Sequence, residues 1–282
     1  MKYFKNKDGG TESEIELKQK YNPDGSELRN VQIEILKMLL WFSNICEKNN
    51  LEWFLCGGNI LGAVRHQGFI PWDDDMDVYM PEKDCRRLEK ILLSKEYKNE
   101  DYVLQNHKTD SGYYGFWPLI RHKKSEYIKD DRVHNAKKYR GFQIDIFPLA
   151  ERRSKFLAKV IKKVEKINTK YFIGKKQFRF FAVMLYHFEK DILIPLFKLF
   201  SFLFSWRNKG KLCYAYPNIW YKQELDKKIV YPLKTIKFEG YDFPAPNDID
   251  AYLKYIYGDD YMILPSPSER NNHSVVKYKL YK

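Results

Sequence analysis

LCGGNILGAVRHQGFIPWDDDMDVYMP, residues 55–81, is the stretch from which the fold and the site of this chain are predicted. It contains a Gly-Gly pair, a short helical pattern that ends at Gly68, and four aspartates within five positions. Aspartate is depleted in strands, and carboxylates packed between apolar residues are costly unless cations lie beside them. We therefore expect a divalent-metal site at the start of a strand, facing a glycine turn suited to phosphate.

The segments around this stretch predict an alternation of helices and strands. Ser26 is a suitable helix N-cap, and the apolar residues after it recur at helical spacing as far as Ile45. Further elements are predicted as a strand at 51–56, a helix at 59–66, a strand at 77–80, a helix at 82–93 and short strands between 101 and 128. The expected fold class is therefore α/β (α+β), a mixed sheet with flanking helices.

Residues 141–149, GFQIDIFPL, predict a strand that carries one carboxylate among apolar residues. In a strand, Asp145 points to the face opposite that of its two isoleucine neighbours. One interpretation is an ordinary edge-strand aspartate that bonds a neighbouring loop. The other is a third metal-site carboxylate, placed beside Asp75 and Asp77 by an adjacent strand.

Asp75 and Asp77 have the spacing that places two side chains on one face of a strand, about 6–7 Å apart at Cα. Two such carboxylates can bind Mg²⁺ or Mn²⁺ and leave positions for phosphate oxygens and water. An EF-hand loop is disfavoured because the glycine of its sixth position is missing. Asp73 and Asp74 are assigned supporting or solvated positions.

Gly57 and Gly58 supply the second half of the predicted site. They follow a strand and precede a short helix, so backbone N–H groups can approach an anionic oxygen at the helix start. The pair is neither a Walker loop nor a dinucleotide-binding fingerprint. Together with the aspartate pair and Asp145, it has the layout of a nucleotidyltransferase-like site, where a nucleotide-linked diphosphate is held on metal while an acceptor hydroxyl attacks phosphorus.

The opening stretch resembles the signature of the LicD family of phosphotransferases, which is related to the fukutin-type proteins. The resemblance continues in RGFQIDIFPL at 140–149, FEGYDFPAP at 238–246 and YLKYIYGDDYM at 252–262. It implies a nucleotidyltransferase-like fold and transfer of a substituted phosphate, often phosphocholine from CDP-choline. The implied acceptor is a hydroxyl of a cell-surface glycan or its lipid-linked precursor, in lipopolysaccharide, teichoic acid or capsule. Other CDP-alcohols (ribitol, glycerol, ethanolamine) remain open as donors.

Carried over to this chain, the resemblance implies that Asp75 and Asp77 are metal ligands and that Asp145 is the third carboxylate. Asp145 would also be the general base for the acceptor hydroxyl. The two glycines of the turn would contact the donor phosphates. Asn59 stands where Thr or Ser is common in the family, so an amide contact to phosphate would replace a hydroxyl contact.

Four further residues are candidates for the same site. Arg65 and Arg121 are candidate ligands of the donor phosphates, although an arginine at the end of a helix is also an ordinary charge partner for its last turn. Arg270 and His273 lie in the segment that resembles the C-terminal motif of the family, and we expect them to close the site.

The predicted organisation has four segments. These are a polar N-terminal segment (1–26), a nucleotidyltransferase-like catalytic core (27–150), a mostly helical, basic and aromatic insert (151–234), and a segment that completes the core (235–282). Within the insert, residues 191–206 are the most hydrophobic part of the chain. A membrane span is disfavoured because the run is short and contains Pro195 and Lys198. A buried helical hairpin and an element lying on an anionic membrane surface both remain open.

The amino-acid composition limits the kinds of partner and the cellular compartment that are expected for this chain. The formal charge of +13 predicts an anionic partner, but no basic helix or aromatic pattern typical of nucleic-acid binding is present, so nucleic acid is disfavoured. Four scattered cysteines predict buried free thiols and a reducing compartment. With a polar N-terminus, this indicates a cytoplasmic protein, and a peripheral position at the inner face of the cell membrane remains open. A nucleic-acid-binding protein and a non-catalytic membrane scaffold are the alternatives from other classes.

Overall fold

The computed structural model describes residues 2–97, 101–151, 155–203, 210–216, 224–270 and 275–281. Its α-helices are α1 (Glu14–Tyr21), α2 (Glu27–Lys48), α3 (Gly57–His66), α4 (Glu82–Leu92), α5 (Arg132–Asn135), α6 (Lys155–Tyr171), α7 (Arg179–Phe188), α8 (Ile194–Leu203), α9 (Lys227–Val230) and α10 (Ile249–Tyr257). Its strands are β1 (Tyr3–Lys5), β2 (Thr11–Ser13), β3 (Phe54–Leu55), β4 (Asp77–Pro81), β5 (Tyr102–Gln105), β6 (Leu119–His122), β7 (Ser125–Ile128), β8 (Gln143–Ala150), β9 (Lys211–Tyr214), β10 (Leu225–Asp226), β11 (Lys234–Phe238), β12 (Tyr241–Ala245) and β13 (Lys277–Leu280). The mixed α/β class predicted from the sequence is confirmed.

The main sheet is built around β8, the longest of the described strands. One edge of β8 pairs in parallel with β4, and β4 pairs with β3 in the antiparallel sense. The other edge of β8 pairs first with β6, which continues to β5, and then with β9, which continues to β10. Because three strands meet on β8, its residues are fixed in register from both sides.

Helix α2 covers this sheet and supplies much of the core. Its predicted N-cap is confirmed, because the Ser26 hydroxyl accepts a hydrogen bond from the Arg29 backbone N–H. The periodic apolar face is buried, with Ile35, Met38 and Phe42 all at 0% exposure. Removing that much apolar area from water, at about 25 cal/mol per Å², fixes the helix on the sheet.

Two predicted strands are shorter than the sequence indicated. The 51–56 strand is reduced to Phe54–Leu55, because the backbone N–H of Leu51 still bonds the Cys46 carbonyl at the end of α2. The run before Arg121 becomes a strand only at Leu119. The residue before it, Pro118, has no N–H to donate to a ladder.

The N-terminal and C-terminal parts of the chain pack together beside α3. Strands β1 and β2 form an antiparallel hairpin, and the backbone N–H of Leu264 donates to the Lys5 carbonyl at 2.9 Å. Strand β13 pairs with β7 of the central region. The segment that resembles the family motif at 238–246 lies in the antiparallel hairpin of β11 and β12.

The described residues between β8 and β9 are helical, with α6 packed along α7 and α8, whereas the rest of the insert proposed at 151–234 contains β9 and β10, which join the main sheet. A π-helical turn, Glu189–Leu193, joins α7 to α8. No helix among the described residues is both long enough and apolar enough to cross a membrane. Residues 204–206 of the hydrophobic run lie outside the described ranges. All four cysteines are free and buried, as the sequence predicted.

Candidate active site

Asp77 and Asp145 stand side by side on the parallel strands β4 and β8. They are direct register partners, so their backbones are about 4.8 Å apart. The Asp145 backbone N–H also donates to the Met76 carbonyl at 2.8 Å. Asp75 precedes the first residue of β4, which differs from the predicted strand-borne pair. The strand register therefore brings Asp77 together with Asp145, and Asp75 approaches from the loop.

Asn59 holds the acidic loop in place. Its side-chain oxygen accepts a hydrogen bond from the Asp77 backbone N–H at 2.7 Å, and its amide nitrogen donates to the Asp75 carbonyl at 3.4 Å. The residue is only 2% exposed. In this structure the Asn59 amide fixes the aspartates, and the predicted contact to a donor phosphate stays a prediction.

Both oxygens of Asp145 have hydrogen-bond donors. The indole N–H of Trp117 donates to Oδ1 at 2.9 Å, and the side-chain amide of Gln143 donates to Oδ2. Asp145 is 9% exposed. The interpretation of an edge-strand aspartate that bonds a neighbouring loop does not describe this position, because β8 is paired on both edges.

The aspartates interact electrostatically. Burial, together with the negative charges of Asp75, Asp145 and Asp73, raises the pKa of Asp77 well above its usual range. Burial also raises the pKa of Asp145, against the opposing effects of the Trp117 hydrogen bond and nearby cations. Carboxylates that disfavour one another's charge in this way form a site that a cation would stabilise.

The glycine pair starts α3 directly, without a separate turn. Gly57 has φ +53°, a left-handed conformation that favours glycine, and its N–H donates to the Tyr252 hydroxyl at 2.9 Å. A Cβ on Gly57 would lie 3.8 Å from both Asp77 Oδ2 and the Tyr257 hydroxyl. The start of α3 therefore faces Asp77 on one side and α10 on the other.

The remaining two aspartates have different surroundings. Asp73 is half-buried, and a Cβ on Gly58 would lie 3.2 Å from its Oδ2, so this carboxylate borders the start of α3. Asp74 is 2% exposed and accepts a hydrogen bond from the Tyr278 hydroxyl at 3.2 Å. A solvated position is therefore wrong for Asp74, which links the acidic loop to β13.

Arg65 and Arg121, the two arginines predicted to bind the donor phosphates, form hydrogen bonds with other protein groups. Arg65 donates to the carbonyls of Tyr261 and Ile263, the latter at 2.9 Å, and is 4% exposed. Arg121, 1% exposed, donates to the Gln105 side chain and to the Gly141 carbonyl. Whether either arginine reaches a donor phosphate stays a prediction.

Arg270 lies against the N-terminal hairpin. Its guanidinium contacts both carboxylate oxygens of Glu12, at 2.9 and 2.5 Å, and lies 4.9 Å from the centre of the Trp72 ring. It therefore anchors the segment that follows Leu264 to β2. The other C-terminal candidate, His273, lies outside the described residues.

Two lysines that the sequence did not single out interact electrostatically with aspartates of the site, Lys137 with Asp145 and Lys129 with Asp74 and Asp75. Lys137 is half-buried, with its ammonium 5.7 Å from the centre of the Tyr113 ring. Burial and the charge of Arg121 lower the pKa of Lys137 to about 8, and the carboxylate of Asp145 opposes that shift. Lys129 is likewise close enough to Asp74 and Asp75 for their charges to raise its pKa against the effect of burial. In a chain with 50 Lys and Arg residues, no sequence signal marks these two.

The residues present fit a hard divalent cation in their chemistry. Within the described ranges, no three or more Asp, Glu, His or Cys side chains converge as a ready-made metal site. Backbone register nevertheless places Asp77 beside Asp145, and Asp75 is close enough to affect the Asp77 pKa. The ladder fixes the backbone of Asp77 and Asp145, while their carboxylates can rotate about two bonds toward a shared cation. Carboxylate oxygens are the ligands that Mg²⁺ and Mn²⁺ prefer.

The mixed sheet, the acidic pair on adjacent strands and the glycine-started helix beside them have the layout of a nucleotidyltransferase-type phosphotransferase. The sequence profile of the LicD/FKTN/FKRP nucleotidyltransferase domain matches residues 50–190, which is half of the chain. The chain therefore belongs to the LicD/FKTN/FKRP family. It is a phosphotransferase of the LicD type.

Individual relatives agree with this membership. The chain is 27% identical to the lipopolysaccharide cholinephosphotransferase LicD of Haemophilus influenzae, over 88% of this chain and 96% of that protein. It is also 39% identical to an uncharacterized protein of Rickettsia typhi, over 22% of this chain and 19% of that protein. An uncharacterized protein of Rickettsia prowazekii is 49% identical over 16% of this chain and 17% of its own length.

Proposed function

We propose that this protein transfers phosphocholine from CDP-choline to a hydroxyl of a cell-surface glycan or its lipid-linked precursor, with Mg²⁺ or Mn²⁺ as cofactor. The observation that carries the proposal is the pairing of Asp77 with Asp145 beside the start of α3. The choice of phosphocholine, and of lipopolysaccharide as the first acceptor to test, is supported by the relative that spans nearly the same length. Ribitol, glycerol and ethanolamine phosphates are the alternative groups, and teichoic acid and capsule the alternative acceptors.

Asp75, Asp77 and Asp145 are the residues that would hold the metal. When bound, the cation would neutralise the donor diphosphate and stabilise the charge that develops on the transferred phosphorus. Asn59 and the β4–β8 register hold the backbone of Asp77 and Asp145 in position, and rotation of the side chains would turn their oxygens toward the cation. The half-buried surroundings strengthen electrostatic contacts relative to bulk water.

Asp145 is the residue that we assign to the acceptor proton. In the transfer, a new bond forms between the acceptor oxygen and phosphorus, the bond from phosphorus to the CMP oxygen breaks, and the hydroxyl proton passes to a carboxylate. Trp117 and Gln143 orient this carboxylate by donating to its two oxygens.

The cations at the border of the site offset the charge of the donor. Lys137 and Lys129 lie beside the acidic pair and the acidic loop, where a diphosphate would add negative charge. An ammonium on a flexible stem can follow a phosphate as it is transferred. We therefore propose that these lysines contribute to donor binding.

The cellular location that we propose for the protein is based on where its proposed substrates occur. We propose that the protein acts in the cytoplasm, where CDP-alcohols are available, and at the inner face of the membrane. Four free, buried cysteines suit a reducing compartment.

The test is CMP release by the purified protein with Mg²⁺, using CDP-choline, CDP-ethanolamine, CDP-ribitol and CDP-glycerol in turn. Lipopolysaccharide or a lipid-linked glycan extract serves as acceptor. We expect the highest rate with CDP-choline, and loss of activity in Asp77→Asn but not in Asp242→Asn, a matched change at an exposed strand position. No CMP from any donor in the presence of acceptor would refute the proposal.

A further inference from the structure

Residues 179–203 follow one helical course, and the outward side of that course is apolar. The backbone keeps right-handed helical angles at both junctions, Phe188 and Ile194, so α7, the π turn and α8 run end to end. The inward side packs on α6 and the adjacent loops through its buried residues, which are Ala182, Tyr186, Glu189, Leu193, Ile194, Phe197 and Ser201.

The outward residues also recur every three or four positions. They are at least 38% exposed and form a stripe along the whole course: Phe181, Met184, Phe188, Ile192, Leu196, Leu199 and Leu203. Beside the stripe, Phe180 is 73% and Phe202 74% exposed. We call these nine residues the apolar stripe.

A helix on the surface of a water-soluble protein normally presents polar residues to solvent. Here the exposed side carries an apolar stripe in addition to the buried inward face, with the exposed polar residues His187, Lys190 and Asp191 beside the stripe. A contiguous exposed apolar patch of this kind marks a contact surface for a protein or a membrane. The stripe therefore needs an occupant that accepts aromatic and aliphatic side chains.

The charge around the apolar stripe indicates which kind of partner can bind there. Residues 155–203 contain ten Lys and one Arg against two Glu and one Asp, so 11 positive minus 3 negative charges gives +8. Exposed lysines of α6 include Lys163, Lys166 and Lys170. A 410 Å³ cavity lined by Arg132, Lys175 and Arg179 opens where α6 meets α7. The stripe is thus accompanied by a concentration of positive charge.

We propose that the apolar stripe docks on an anionic phospholipid bilayer, with its side chains at the boundary between headgroups and acyl chains. An anionic bilayer offers both an apolar interior, which matches the apolar stripe, and a negatively charged surface, which matches the positive charge of residues 155–203. A second copy of the chain would bring another +8 against the first. The biological role of this membrane contact rests on the proposed function. Vesicle binding itself does not, because it involves neither donor nor acceptor.

Docking in this way keeps the enzyme at the surface where lipid-linked glycans are held. The helices of the stripe pack on α6, which follows directly from β8, the strand that carries Asp145. Binding to a surface restricts the search for a lipid-linked acceptor to two dimensions.

The experiment is co-sedimentation of the full-length protein with phosphatidylcholine vesicles that contain or lack phosphatidylglycerol. We expect binding to the anionic vesicles, and a loss of about tenfold or more in F180S/F202S. The matched control is Val276→Ser, because Val276 is 72% exposed but lies next to β13. This variant is expected to bind as the wild type does. Unchanged melting temperatures in both variants separate lost contacts from lost folding.

A second variant tests the contribution of charge. K163Q/K166Q/K170Q is expected to lose the preference for anionic vesicles and to weaken the salt dependence of binding. Equal binding of the wild type to both kinds of vesicle, or to neither, would overturn the proposal. So would a dimer of the wild type that F180S/F202S dissociates, because the occupant would then be a second copy. CMP release with a soluble acceptor is expected in every one of these variants, so its absence would count against the proposed function instead.

Discussion

Asp77 and Asp145 are direct partners in the parallel ladder between β4 and β8, and each lies where it raises the energy of the other's negative charge. The pairing is fixed by backbone hydrogen bonds on both sides of the two strands. The backbone therefore holds the two carboxylates close together without a cation, which is the arrangement that supports our proposal of a cation at this position.

The first prediction concerns this pair. Asp77→Asn is expected to lower turnover by about 10³-fold or more, because a carboxylate that holds the metal becomes a neutral amide. The variant should melt a few degrees higher than the wild type without metal, since one of several repelling buried charges has been removed. Mg²⁺ should raise the melting temperature of the wild type but not of the variant. Retained turnover would remove Asp77 from the site.

The second prediction tests the support that Asn59 gives to the acidic loop. Asn59→Ala leaves the buried N–H of Asp77 without its acceptor, which costs about 1–3 kcal/mol of unfolding free energy. Turnover should fall about 10–100-fold, because the ligand loop loses its orientation. Urea unfolding and CMP release measure the two effects. Asn30→Ala, at an exposed position of α2, is the control and should change neither.

The third prediction concerns Lys137. Lys137→Met should raise KM for the donor about tenfold, with a smaller change in kcat, because a cation that faces the diphosphate is lost. Lys137→Arg should restore much of the binding, and Lys138→Met, at the exposed neighbour, should behave as the wild type. A pure loss of stability with unchanged KM would contradict this role.

The same lysine predicts a pH dependence. A depressed pKa of about 8 means that Lys137 is charged below pH 8 and neutral above it. Donor affinity that depends on this charge is therefore present below pH 8 and lost as pH rises through 8. In the wild type, KM for the donor should increase over this range, whereas Lys137→Arg should keep a constant KM because guanidinium does not lose its proton there.

The fourth prediction concerns the Glu12–Arg270 pair. The hydrogen bonds from Arg270 lower the pKa of Glu12 to about 2, below its usual value of 4.5. The stabilisation is fully present above pH 4.5 and is lost as pH falls from 4.5 to 2, by at most about 3 kcal/mol, which solvent screening of this partly exposed pair reduces. Urea unfolding across this range should show the loss in the wild type. Glu12→Gln should lack it, and an unchanged slope in that variant would argue against the pair.

The fifth prediction concerns Glu189, for which stability is lost as pH rises rather than as it falls. Glu189 is 2% exposed and its Oε1 has no hydrogen-bond partner among the described residues. Burial, with a smaller effect of Glu165, raises its pKa to about 8. Stability is therefore lost as pH rises from 4.5 to 8, and Glu189→Gln should gain about 2 kcal/mol or more at pH 8 and almost nothing at pH 4.5. Thermal melts at the two pH values measure the difference.

Much of the fold was predictable because it depends on local patterns. The apolar spacing of α2, its Ser26 cap and the run that becomes β8 are all visible in sequence. The aspartates of the site were predictable because charge beside an apolar strand is unusual. That Asp145 would stand next to Asp77 was a hypothesis about which strands are neighbours, and the ladder confirms the adjacency.

The rest depends on contacts between distant positions. Nothing near Asn59 indicates that its amide bonds the Asp77 backbone, and nothing near Arg65 indicates that it bonds the carbonyls after α10. Lys137 could not be distinguished from the many other lysines until the fold placed it near Asp145. The truncated β3 follows from the way α2 ends, which no strand propensity describes.

The hydrogen bond from Gly57 to Tyr252 joins residues 195 positions apart. During translation, the glycine that starts α3 leaves the ribosome long before the tyrosine that binds it has been made. The nascent chain can form β4 and β8 first, but α3 acquires its α10 neighbour only after the whole helical insert has been synthesised. The start of α3 therefore gains this contact late in synthesis, and a chain released before α10 would carry the acidic pair without the hydrogen bond from Gly57 to Tyr252.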